Sequence, residues 1–254
     1  MVREVTLNSD MGEGYPYDEV LLNYVDYANV AGGGHAGDVG SVELTVRLAS
    51  LHGVAVGAHP SYPDRDGFGR VSLFSQLDPN VLKLSLVEQI VAVFDQAILL
   101  NVPFTHVKPH GAIYNDAMWD GEVASVVLDA VDIVREEVRE RGGEEFAVMG
   151  MPGTLFEELA VSREYAYLRE GFVDRLYRPD GRLTSRDTPG AVLHSVEDVT
   201  RQVHNLLNGQ VETSDGSMIG LEVDTLCIHS DTDGADRIAK IVYGLLGKEG
   251  QYGK

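Results

Sequence analysis

The sequence has one cysteine, Cys227, so no internal disulfide can brace it, and a reducing compartment fits. Lysine is scarce: Lys83, Lys108, Lys240, Lys248 and Lys254 are the whole set. With 20 basic residues against 40 acidic ones the net charge is −20, which excludes nucleic acid and anionic membranes as partners because both need a basic surface. The same imbalance is expected of a chain working in high salt, where self-repulsion is screened. No run approaches the ~18 apolar residues of a membrane span. Met1 leads into a polar-flanked strand with no signal-peptide pattern, so the expected location is the cytoplasm. No Pro/Gly/Ser-rich linker interrupts the chain, and residues 1–254 are expected to form one domain. The phosphate loop G-x-x-x-x-G-K-[ST] is missing too.

What is present is a regular alternation. Strands are predicted at 3–10, 27–32, 54–60, 104–110, 145–151, 165–171 and 225–231. Amphipathic helical stretches such as "SVELTVRLASLHG", "GEVASVVLDAVDIVREEVRER" and "VEDVTRQVHNLLNG" separate them. Seven β-then-α units predict an α/β fold with a parallel sheet. Insertions at 61–78 and 173–192 follow the third and sixth strands, on the side where such folds keep their sites, and 210–224 reads as a hairpin around Asp215-Gly216.

Side chains alternate along a strand, so the parity of polar residues is informative. His106, Lys108 and His110 share one face of the fourth strand, opposite Val107 and Pro109. His59 follows Gly57 and Ala55 in the third, Asp10 follows Asn8 and Thr6 in the first, and Asp231 follows His229 and Cys227 in the last. In a barrel one parity packs on helices and the other faces inward. The pattern therefore places Asp10, His59, Lys108, His110, His229 and Asp231 around one mouth, with Glu13 and His35 in loops beside them.

Each residue also has a plainer reading. His52 and His204 lie within helices and His194 precedes one, so these read as packing or capping residues, and Cys227 reads as a core thiol. Lys108, buried in a barrel, must be paired or have its pKa depressed. Asp10 and Glu13 in "NSDMGEG" are a general base with an electrostatic partner, two hard metal ligands, or turn caps. Asp10, His59 and His110 have the ligand types of a divalent-metal hydrolase site, although no H-x-H or H-x-x-x-H pair demands one. Arg175 and Arg178, in an arginine-rich insertion, are candidate anion clamps or parts of an ordinary turn.

"NVAGGGHAGD" (29–38) matches G-x-G-x-x-G by letters, but the next strand carries His59 where a dinucleotide fold wants an acidic residue. Its glycines are expected to turn the chain at the barrel mouth and leave room for a ligand against Gly33 and Gly34. Asn29, His35 and Asp38 are then assigned to ligand binding, Asp38 also as a helix cap.

"LNSDMGEG", "NVAGGGHAGD", "GVAVGAHPSYPDRDGFGR", "HVKPHGAIYN", "REGFVDRLYRPDGRL", "PGAVLH" and "DTLCIHSDTDGA" resemble, in order and spacing, the LamB/YcsF family, the A subunits of 5-oxoprolinase. The resemblance implies a distorted seven-stranded β/α (TIM-like) barrel related to glycoside hydrolases and deacetylases. It also implies ATP-dependent hydrolysis of 5-oxo-L-proline to L-glutamate in a complex with subunits B and C, with ATP, and Mg2+ beside it, as cosubstrate. In that chemistry Asp10, Glu13, Lys108, His59 and His110 are the candidate catalytic set. Asn29, His35, Asp38, Arg175, Arg178, His229 and Asp231 are the candidate substrate-binding set. The chain departs from the family pattern at Gly33-Gly34, where Cys-Gly-Phe is usual, at Val39, and at Ser9, which removes any case for a thiol nucleophile there. Two other readings stay open: a metal-dependent amidohydrolase or deacetylase needing no ATP, and a non-catalytic subunit that binds a lactam.

Overall fold

The computed structural model of the protein describes residues 4–232 and 234–248. Seven parallel strands close into a TIM-like barrel in the order β1 (Thr6–Met11), β2 (Tyr27–Ala31), β3 (Ala55–His59), β4 (Phe104–Val107), β5 (Ala147–Gly150), β6 (Tyr167–Phe172) and β9 (Thr225–His229). The strands β7 (Gln210–Glu212) and β8 (Met218–Gly220) form the hairpin expected around Asp215-Gly216, outside the barrel. Closure removes exposed sheet edges and leaves each strand one face for helices and one for the interior.

The helices are α1 (Asp18–Leu21), α2 (Val39–His52), α3 (Pro79–Leu99), α4 (Gly111–Trp119), α5 (Gly121–Glu140), α6 (Leu155–Ser162), α7 (Val196–Leu207) and α8 (Ala235–Leu245). Their starts follow local chemistry. Asp78 caps α3 through the amides of Asn80 and Val81 with Pro79 behind it, and Thr154 and Ser195 cap α6 and α7 in the same way. Helix α4 has no counterpart in the sequence expectation. It begins directly after His110 because Gly111 takes a positive φ of 58°, and a Cβ there would stand 2.5 Å from the Gly69 carbonyl oxygen.

The outward parity of the strands, including Leu7, Val30, Val56, Ala58, Val107, Leu226 and Ile228, is fully buried under these helices. Each of the valine, leucine and isoleucine side chains among them contributes about 1.5–3 kcal/mol of apolar burial. The inward parity is polar. Asn8 donates to Thr225, Asn29 donates to Asn8 and Asp10, and His106 Nε2 donates to Asn29 at 2.6 Å. Gly57 makes room for this ladder: a Cβ on it would come 2.3 Å from His106 Nε2. A buried polar row is tolerable only when its members are paired, and these are.

Candidate active site

Strand register brings the chemistry to one level. Asp10, near the end of β1, pairs with Asn29 of β2 and His229 of β9, and Ala31 at the end of β2 pairs with His59 of β3. Lys108 and His110 lie just past β4 and are both buried. Lys108 Nζ donates to Asp10 Oδ1 at 2.8 Å, forms an ion pair with Glu170 Oε1 at 2.8 Å, and lies 3.3 Å from Cys227 Sγ. Of the two states open to a buried lysine, the structure shows the paired one. Burial pulls its pKa down, but the charge of Asp10, with Cys227 and Glu170 behind it, holds it well above the usual range. Burial likewise opposes ionisation of Asp10, and His59 and Lys108 overcome that and hold its pKa well below normal.

Glu13 faces imidazoles instead of a lysine or arginine. Its Oε1 is 2.9 Å from His35 Nε2, 3.4 Å from His110 Nδ1 and 3.9 Å from His59 Nε2. Burial and then the charge of Asp10 push its carboxyl pKa well above the usual range. The His35 ring stacks flat on His110, with centroids 3.6 Å apart. Burial lowers the His35 pKa to about 2 and holds that of His110 well below normal.

The far wall comes from β6 and its extension. Glu170, Phe172 and Asp174 keep one parity: Glu170 meets Lys108 and accepts from Tyr114, Phe172 stacks on His229, and Asp174 accepts from His229 Nδ1 at 2.9 Å. Burial opposes the Asp174 charge, but His229 lowers its pKa to about 2. A cavity of about 470 Å³ opens above these residues, with Arg70, Arg175, Arg178, Arg182 and Arg186 in its lining. Asp231 accepts from Arg70 at 2.7 Å and from Arg186 at 2.9 Å, which joins the 61–78 and 173–192 insertions across the mouth. Arg175 is buried, donates to the Thr184 carbonyl, and has an Nε without a partner among the described residues. Burial lowers its pKa to about 10.

The family model for LamB/YcsF matches residues 5–252, nearly the length of the chain. The protein belongs to the LamB/YcsF family. Similar proteins include the 5-oxoprolinase A subunit of Cutibacterium acnes, 39% identical over 97% of this chain and 96% of that one. The 5-oxoprolinase A subunit of Pyrococcus furiosus is 35% identical over 97% of this chain and 95% of that one. Among solved structures, the lactam utilization protein of Thermus thermophilus superposes with a TM-score of 0.84 at 35% identity, covering 96% of each chain.

Within this LamB/YcsF barrel, Asp10, Glu13, His59, Lys108, His110, Arg175, Arg178, His229 and Asp231 all line the one cavity. Arg178 is a half-exposed rim residue paired with Asp180. Three of the candidates are absent from that lining. Asp38 is exposed and, as expected, caps α2 through the Ser41 amide at 2.9 Å. Asn29 is fully buried beneath Asp10 and touches the site only through that carboxylate. His35 lies behind His110 and Glu13, outside the cavity lining.

The glycines of 29–38 also differ from expectation. A Cβ on Gly34 would meet Gln89 Oε1 at 2.3 Å and Ser61 Oγ at 2.5 Å, and one on Gly32 would meet the Gln89 carbonyl oxygen at 2.4 Å. These two glycines admit α3 and the third-strand loop; only Gly33 has open space beside it. His106 belongs to the hydrogen-bonded ladder below the site. Sequence reasoning missed Glu170, Asp174, Arg70 and Tyr114. The parity rule, carried along β6, would have found the first two.

Proposed function

We propose that this chain is the ring-opening subunit of a cytoplasmic, ATP-dependent 5-oxoprolinase, converting 5-oxo-L-proline to L-glutamate in a complex with subunits B and C. The observation that carries the reading is the buried Asp10–Lys108–Glu170 ion-pair group at the floor of an arginine-rimmed cavity, in a chain whose relatives are named as A subunits of 5-oxoprolinase. 5-Oxoproline is a small anion with a resonance-stabilised lactam, and the cavity offers a guanidinium for the carboxylate and an ammonium for the carbonyl oxygen.

In the reaction water adds to the lactam carbon, the C–N bond breaks and the nitrogen takes a proton, giving the open amino acid. A five-membered lactam recloses readily, so opening is coupled to ATP, with Mg2+, through phosphorylation of the amide oxygen by the assembled complex with release of ADP; C–N cleavage then leaves an acyl phosphate, which a second water hydrolyses to the carboxylate and inorganic phosphate. Lys108, fixed by two carboxylates, stabilises the negative charge developing on that oxygen. Asp174 keeps the His229 proton on Nδ1, so Nε2 is the atom left to take a proton from water and return it to the leaving nitrogen. Arg175 holds the substrate carboxylate through its unpaired Nε.

The test is reconstitution of the three purified subunits with 5-oxo-L-proline and ATP, following glutamate and ADP. Lys108→Ala and Asp10→Asn complexes should assemble and lose turnover. Normal turnover by either would refute the site, and glutamate formation by this chain alone without ATP would favour an amidohydrolase in its place.

A further inference from the structure

Two histidines of the site turn lone pairs toward each other. His59 Nδ1 lies 2.8 Å from the Lys108 carbonyl oxygen, which can only accept, so the ring proton sits on Nδ1 and Nε2 of the neutral ring carries a lone pair. His110 Nε2 lies 3.0 Å from the Phe68 carbonyl oxygen, so in this ring the lone pair is on Nδ1. The two lone-pair nitrogens are 3.0 Å apart, with Glu13 Oε1 at 3.4 and 3.9 Å from them. His35 Nε2 is 2.9 Å from the same oxygen, and all four donor atoms fall within 4.8 Å of one another. His35 Nδ1 is buried with no partner among the described residues, so the only polar contact of that ring points at this centre. Acceptors this close repel unless a proton or a metal ion lies among them, and Glu13 has no lysine or arginine ion-pair partner among the described residues.

We propose that Glu13, His59 and His110, with His35 beside Glu13, bind one divalent first-row transition-metal ion. Metal–ligand bonds of ~2.0–2.2 Å place neighbouring donors about 2.9–3.5 Å apart in octahedral or tetrahedral geometry. The 3.0 and 3.4 Å separations fall in that range, and the 3.9 Å one closes with a small shift of the Glu13 carboxylate. Imidazoles with a carboxylate suit Zn2+, Mn2+, Fe2+, Co2+ or Ni2+, in contrast to the all-oxygen shells of Mg2+ and Ca2+. Asp10, the carboxylate expected there, keeps Oδ2 at 3.3 Å from His59 Nε2, on the edge of the centre, while its Oδ1 is committed to Lys108 and Asn29; Glu13 Oε1 is the oxygen that faces all three imidazoles.

The surroundings are those of a metal site. Backbone carbonyls of Lys108 and Phe68 fix the tautomer and orientation of both histidines, as outer partners of metal-bound imidazoles do. Phe68 presents its carbonyl from a left-handed conformation, φ 54°, that a bulky residue adopts only when its surroundings enforce it. When bound, such an ion would supply a Lewis acid for the lactam carbonyl and lower the pKa of water. That role rests on the ring-opening reading; the binding itself does not.

Isothermal titration of tag-free, EDTA-stripped protein with Zn2+, Mn2+ or Co2+ should show about one equivalent bound, with Mg2+ at least tenfold weaker. Co2+ should give visible d–d absorption. His59→Gln, His110→Gln and Glu13→Gln, each checked for folding by circular dichroism, should weaken binding about tenfold or more. His204→Gln, exposed on α7, should leave it unchanged. Absence of stoichiometric binding by all three ions, or binding equally tight in the folded His59→Gln and His110→Gln proteins, would overturn the proposal. A protein that binds the ion but supports no glutamate formation with its partners would refute the ring-opening reading and leave the metal site standing.

Discussion

Replacing Lys108 with methionine keeps most of the side-chain volume and removes the charge. Its ammonium is the partner of two buried carboxylates, Asp10 and Glu170, each at 2.8 Å, and neither has another lysine or arginine ion-pair partner among the described residues. Removing one member of a buried ion pair costs about 3–5 kcal/mol, because the remaining charge is left without compensation. For a chain of this size that corresponds to a fall in melting temperature of about 6–20 °C at pH 7. The loss should shrink on acidification. Without Lys108 the folded-state pKa of Asp10 rises, so it can protonate instead of staying charged and unpaired, whereas the native Asp10, with its pKa held low, loses its stabilising contribution as pH falls. Thermal melts at pH 7 and pH 5 measure this directly. Adding Glu170→Gln to Lys108→Met should recover part of the stability and none of the turnover. A Lys108→Met protein melting within about 2 °C of the native protein at pH 7 would show that the lysine does not neutralise these carboxylates.

Asp38→Ala should lower the melting temperature by about 2–4 °C, the scale of one lost helix cap, and leave the turnover of the reconstituted complex unchanged; a raised KM would return Asp38 to the ligand site. Asp174→Asn should let the His229 proton redistribute between the ring nitrogens, visible in 15N shifts, and reduce kcat more than it raises KM. Because the native Asp174 pKa lies at about 2, its contribution to stability is present above the ordinary aspartate range and lost as pH falls toward 2, so native and Asp174→Asn melting temperatures should converge in acid. With a net charge of −20, the melting temperature should rise between low and molar KCl as self-repulsion is screened, and a flat response would remove the high-salt reading.

The strand parity of Asp10, His59, Lys108, His110, His229 and Asp231 was legible in the sequence because a closed barrel forces alternate residues to opposite environments, and a polar residue among apolar ones must point inward. The same rule extends to Glu170 and Asp174, but only when β6 is followed into the insertion beyond it. The capping role of Asp38 was legible because an aspartate directly before a helical stretch is a cap signal, whereas its distance from the cavity was not. Gly33 and Gly34 were read as space for a ligand; Gly33 does have open space beside it, while the structure fills the space at Gly34 with Gln89 and Ser61 from segments far along the chain.

The order of amino acids was enough to establish the alternation of strands and helices, the family, and which strand ends carry charge, since these depend on period, local propensity and motif order. It took the folded barrel to establish that Lys108 is paired with Asp10 and Glu170, that Asn29 and His106 lie below the site, and that Glu13 meets three imidazoles. Those outcomes depend on strand register and on which backbone carbonyl meets which ring nitrogen. Contacts between residues such as His110 and Phe68, or Lys108 and Glu170, join separate stretches of chain and exist only once the barrel has closed.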